Sequence, residues 1–376
     1  MIVSFDLRLV SHGSPILAIM AMLLAPLVTG CPTPAPSDTG DVPFLDQANN
    51  FDFSSATALS IAEQEEFTFR GTINSSSDVD VYDLGAFASG DHLTVDVQRT
   101  AGNLDAVAAV FDRNKYLISY NDDRNPDATN LNPLIDITVQ ESSETFYLGI
   151  ASLYASDTTG DYEVTIRVVR GEGAKGASGQ TVFLDWRGGQ NIVVENVGVY
   201  ELPAFTATQL GPYEGQTIFI QDRVKQIVED RFGGFDLTVL SSHRDAEPSG
   251  AHTSVFFGGD NRRAFAISQQ IDSWNNDKSD DCIVYTQAFS DAFTRTPTVD
   301  QMAQALGNTV SHEIGHLLGL VHTASCDELM DTTCGNSRIL TDQAFGVAPL
   351  DITTFPIGLQ NAPVLLGWIL GVSGGI

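Results

Sequence analysis

Apolar residues recur in short runs through the first half of the chain. They stand at residues 66–69 (EFTF), 92–97 (HLTVDV), 106–111 (AVAAVF), 135–139 (IDITV), 145–150 (TFYLGI) and 162–169 (YEVTIRVV). Runs of this length with side chains sent to alternate faces predict strands. Gly, Asn and Asp cluster between them, and these residues favour turns. A succession of short strands with turn signals predicts a β-sandwich-like, all-β domain over residues 44–170.

The pattern changes beyond residues 171–180 (GEGAKGASGQ), which hold four glycines and almost no apolar side chains and read as a flexible linker. Residues 216–231 carry Ile220, Val224, Ile227 and Val228 at helical spacing, with Gly233-Gly234 as a stop. Strands are predicted at 181–186, 235–240, 253–257, 264–268 and 282–286, and a long helix at 299–318. Residues 181–376 therefore read as a mixed α/β domain. Its apolar tail is short and glycine-rich, and is expected to pack onto the domain rather than cross a bilayer.

Composition narrows the function. Hydrophobic residues make up 43% of the 376 and charged residues 18%, a globular balance. The formal net charge of -29 repels phosphate backbones and argues against nucleic-acid binding. Residues 1–30 read as a signal segment, with an apolar run over 15–28 too short to span a membrane comfortably. It ends in Val28-Thr29-Gly30-Cys31, which resembles a bacterial lipobox. That likeness implies lipidation of Cys31, a membrane contact through the N-terminal lipid, and an exported, surface or outer-membrane location. Residues 31–43, rich in proline, form an extended tether. Export places the remaining cysteines in an oxidising compartment. Cys326 and Cys334 flank Met330 and are a candidate disulfide, leaving Cys282 as the odd thiol.

The chemistry-bearing stretch is residues 310–322 (VSHEIGHLLGLVH). His312 and His316 stand four apart, so a helix puts both imidazoles on one face, a turn apart, where they can share one metal ion. Glu313 lies beside them as a candidate general base. His322 would sit about 9 Å further along the axis if the helix continued. It can join the same site only if the helix ends first, and Gly319 stands where that break is needed. Three nitrogen ligands leave a fourth position open, the arrangement of a catalytic zinc rather than a structural one.

The pattern His312, Glu313, His316, Gly319, His322 resembles the metzincin metalloproteases. That resemblance implies one catalytic Zn2+, a methionine turn beneath it supplied by Met330, and an edge strand over residues 263–268 that binds extended protein or peptide substrates. The β domain resembles the bacterial pre-peptidase C-terminal family, through residues 78–82 (DVDVY), 89–93 (SGDHL), 121–123 (NDD), 146–150 (FYLGI) and 160–162 (GDY). It implies an accessory module of secreted peptidases. Asp78, Asp80, Asp122 and Asp123 are candidate Ca2+ ligands there, though aspartate is also a common turn residue. The expected function is a zinc endopeptidase. The alternative is a surface-tethered lipoprotein that binds peptides or proteins without cleaving them.

Overall fold

The computed structural model describes residues 42–46, 49–59, 61, 66–125 and 129–373. The signal segment, Cys31 and most of the tether lie outside the described residues.

Nine strands build the first half: β1 (Thr57–Ala58), β2 (Glu66–Ile73), β3 (Val79–Phe87), β4 (His92–Arg99), β5 (Ala106–Asp112), β6 (Leu117–Asn121), β7 (Leu134–Thr138), β8 (Ser143–Ser152) and β9 (Gly160–Val169). They form two sheets, ordered β1-β3-β8-β5-β6 and β2-β9-β4-β7. The inward positions of both sheets, among them Phe69, Leu93, Val95, Leu148, Val164 and Ile166, share one apolar core. Alternation along each strand thus does what a sandwich requires. One polar link crosses this core. Tyr162 on β9 donates to Asp80 Oδ2 on β3 at 2.5 Å, and its hydroxyl lies 2.7 Å from that of Tyr82. Burial, opposed by the Tyr162 hydrogen bond and reinforced by Asp46 and Asp78, pushes the Asp80 carboxyl up to about 8.

The second half contains β10 (Gln180–Asp185), β11 (Gly189–Val194), β12 (Gly198–Leu202), α1 (Thr217–Arg231), β13 (Leu237–Ser241), β14 (Thr253–Phe257), β15 (Ala266–Ser268), β16 (Cys282–Val284), α2 (Val299–Leu317), β17 (Val347–Pro349), β18 (Leu359–Asn361) and α3 (Ala362–Leu370). The main sheet runs β13-β10-β14-β16-β15, with β15 antiparallel to β16 and the other pairs parallel. Helices α1 and α2 pack with the sheet around a core that includes Val182, Val224, Phe257, Leu306 and Val310. The helices approach so closely that a methyl group at Gly307 would lie 2.6 Å from Ile227. The apolar tail forms α3, which buries Leu366 and Leu370 in the same core.

The glycine-rich segment between the halves is exposed coil, yet it is pinned. Gly173 N donates to Gly90 O at 3.2 Å, and Ser178 N to Ile369 O at 2.9 Å. Among the described residues no helix is long and apolar enough to cross a membrane.

Candidate metal centre

Helix α2 starts at a reciprocal cap. Thr298 Oγ1 accepts from Gln301 N at 3.2 Å, while Gln301 Oε1 accepts from Thr298 N at 3.0 Å. Its last turns carry His312, Glu313 and His316. The helix stops at Leu317, and Gly319 turns the chain with φ +85. Only glycine suits this place, because a side chain would also lie 2.9 Å from Ser273 Cα and 3.0 Å from Asp272 O. The turn aims His322 back at the helix. His316 Nε2 then lies 3.1 Å from His312 Nε2 and 3.0 Å from His322 Nε2.

The hydrogen bonds on the far side of the rings decide what this cluster wants. His312 Nδ1 lies 2.9 Å from Leu329 O, and His316 Nδ1 lies 2.8 Å from Leu320 O. A carbonyl oxygen only accepts, so both Nδ1 atoms carry hydrogen, and in the neutral rings a metal binds both Nε2 atoms present lone pairs. Two lone pairs 3.1 Å apart repel unless a cation lies between them. Tetrahedral zinc with bonds of about 2.05 Å spaces its nitrogen ligands at about 3.3 Å, close to what is observed. Burial and the two neighbouring imidazoles hold His316 well below the usual histidine range, and burial with His312 pushes His322 down to about 3. Both are therefore neutral, the form a metal takes. The three histidines can hold a metal ion.

Glu313 is buried beside them. Burial pushes its carboxyl up, while His312 and the Ser268 hydroxyl oppose the shift. Ser268 Oγ, on edge strand β15, donates to Glu313 Oε2 at 2.6 Å. The open cleft is lined by β15, by the three histidines and Glu313, and by Thr309, Leu329, Ile339 and Gln343. Register puts the backbone groups of Ile267 toward β16, so those of Ala266 and Ser268 face the unpaired edge.

Met330 is fully buried under the helix, and a methyl group at Gly315 would lie 2.7 Å from its sulfur. Glu328 braces that turn. Its Oε2 accepts from Met330 N at 2.7 Å and Thr323 Oγ1 at 2.6 Å, and its Oε1 accepts from Gly346 N at 3.2 Å. Cys326 and Cys334 are bonded and close the loop around Met330, while Cys282 is a buried free thiol. Among the described residues, Asp78, Asp80, Asp122 and Asp123 do not converge as a group of metal-capable side chains. His243 and His252 stand apart from the site. His243 bonds Asp222 and Ser241, and His252 meets the carbonyl of Gly250.

Sequence spacing indicated the three histidines and Glu313, and the family resemblance indicated Met330. They missed Ser268, which lies 45 residues from Glu313, and they missed Glu328. An acid two residues before Met330 was the available signal for the second.

No protein-family model and no curated protein matches the chain. Among solved structures it is similar to archaemetzincin from Methanopyrus kandleri, at 11% identity and TM-score 0.27, covering 46% of this chain and 91% of that one. It is also similar to the pre-peptidase C-terminal domain of collagenase from Bacillus anthracis, at 14% identity and TM-score 0.22, covering 27% and 89%. A third is PliG of Aeromonas hydrophila, a periplasmic inhibitor of g-type lysozyme, at 16% identity and TM-score 0.24, covering 30% and 94%. At such scores the function must be argued from the side chains.

Proposed function

We propose that the chain is a zinc endopeptidase of the metzincin type, with His312, His316 and His322 as ligands and Glu313 as general base. The observation that carries the reading is the convergence of three imidazole nitrogens, two with their lone pairs fixed inward, beside a buried carboxylate at an open cleft. Zinc bound there supplies Lewis acidity, polarising a carbonyl and making water more acidic. The chain's own groups do the rest. An extended peptide adds to the free edge of β15 through the backbone of Ala266 and Ser268. Glu313 Oε2 is engaged by Ser268, so Oε1 takes the proton of the attacking water and returns it to the departing amine. Lipidation of Cys31 would hold the enzyme at a membrane surface, where its substrates are extracellular or surface proteins.

Glu313→Gln tests this directly. It keeps the helix and all three nitrogens but cannot accept a proton. We expect full zinc content and turnover of an unfolded protein substrate lower by about 10²–10⁴-fold. Near-normal turnover, or turnover of the native chain that survives metal chelation, would exclude the mechanism.

A further inference from the structure

Much of the outer face of the sheet β1-β3-β8-β5-β6 is covered, in part by Phe53 of the β domain itself. Val79, Val81, Val107, Ala109 and Phe111 of the β domain share a separate apolar cluster with Val321, Leu350 and Phe355. Val321 immediately precedes His322. Leu350 directly precedes Asp351, whose backbone N–H donates to His322 O at 3.0 Å, and Phe355 N donates to Asp351 O at 3.1 Å.

The contact is tight and continuous. Phe355 is fully buried, with its ring centre 5.6 Å from that of Phe111. A methyl group at Gly149 on β8 would lie 2.7 Å from Phe355 Cζ. Gly358, with φ +101, lies where any side chain would strike Phe111. Leu359 N donates to Lys115 O at 2.9 Å, joining the backbones of the two halves. On the other side of the strip, Gln360 is fully buried and grips Val321 at both ends. Its Oε1 accepts from Val321 N at 2.8 Å, and its Nε2 donates to Val321 O at 3.0 Å.

The first two imidazoles sit on a capped helix and need no such help. His322 follows a glycine break and belongs to no helix or strand, so its position is set by what packs on its backbone. We infer that the β domain is a positioning element of the metal centre, holding the third ligand in place through Gly149, Phe111 and Phe355. This rests on the reading of His322 as a ligand. It assigns the β domain a role that a freely tethered accessory module would not have.

The test is zinc affinity of the full chain, measured by competition with a chromogenic chelator. Gly149→Ala drives a methyl group into Phe355 from more than 160 residues away in sequence and touches no proposed ligand. It should weaken zinc by about tenfold or more, the usual scale for loss of a ligand's support. Phe355→Leu removes the ring without adding bulk and should weaken zinc less. Combined with Gly149→Ala, it should recover part of the lost affinity. Val95→Ala, in the core between the two sheets, is the control. It lowers stability but should leave zinc affinity within about twofold, because Val95 lies in a different cluster from Phe355. Native affinity in folded Gly149→Ala, or equal weakening by Val95→Ala, overturns the proposal. If Gly149→Ala fails to fold, unchanged affinity in Phe355→Leu overturns it. A native chain that binds no zinc would instead overturn the functional reading itself.

Discussion

The two sheets of the β domain share one core but differ in what lies behind them. In β4 and β9 buried residues alternate with partly exposed or exposed ones, and the outer face carries Thr94, Asp96, Thr165 and Arg167. In β5 all six residues from Ala106 to Phe111 are buried, and four of the five in β6 are too. The first is a half-solvated sheet and the second is covered on both faces. The covering on the second sheet is shared by Phe53, from the β domain itself, and the strip of chain that carries His322. A strand that looks merely more hydrophobic is therefore also one that docks.

The largest expected effect comes from charging each outer face in turn. Ala109→Lys puts an ammonium into the covered face, opposite Gly149 in the register and among residues that pack Phe355. An unpaired buried charge costs several kcal/mol, so thermal unfolding should show a large loss or no folded protein. Thr94→Lys adds the same charge to the solvated face, opposite Asp136 and Arg167, and should shift stability by less than about 0.5 kcal/mol. Equal effects at the two positions would erase the distinction between the sheets.

The second effect tests what joins the sheets. Asp80 ionises near 3.8 when unfolded but near 8 when folded. Between those values the native state keeps a proton that the unfolded state has lost, so stability falls as pH rises from about 4 to 8. Asp272, Asp280 and Asp281, pushed up to about 6, about 8 and about 6 by burial, act in the same direction. Subtraction isolates Asp80 together with the neighbouring Asp46: Asp80→Asn should gain on the native chain progressively from pH 5 to 8 in denaturant unfolding, then level off. A constant difference across that range would mean that Asp80 is ionised in the folded protein.

The same comparison shows what the sequence made legible. Local periodicity located β2, β4, β5, β7, β8 and β9 but not β1, β3 or β6, and the four-residue histidine spacing with Gly319 located the candidate site. Both signals lie within one element or one turn. The run AVAAVF already held a hint of docking, since a strand facing water alternates and this one does not. Its partner could not be read, because Phe111 and Phe355 are 244 residues apart and nothing local marks the pair. The Ser268 contact with Glu313 was hidden for the same reason. The linker composition suggested two independent bodies, whereas the shared cluster around Phe355 joins them.

The smallest expected effect asks whether the metal-facing side depends on shape or on chemistry at its floor. Met330 is fully buried, and its sulfur faces the place where Gly315 has no side chain. Its backbone, not its side chain, carries the hydrogen bonds of the turn: Met330 N donates to Glu328 Oε2, and Met330 O accepts from Thr323 N at 3.0 Å. Those bonds survive any side-chain exchange. Met330→Leu roughly conserves volume and should cost less than about 1.5 kcal/mol in denaturant unfolding. Zinc content should be unchanged, because the Leu329 carbonyl that orients His312 belongs to the backbone as well. Glu328→Gln offers the opposite dissection. It keeps the shape but weakens the acceptor of three hydrogen bonds, so it should destabilise more than Met330→Leu does. If the leucine variant lost its metal while remaining folded, the sulfur itself would have to be counted among the groups that hold the ion.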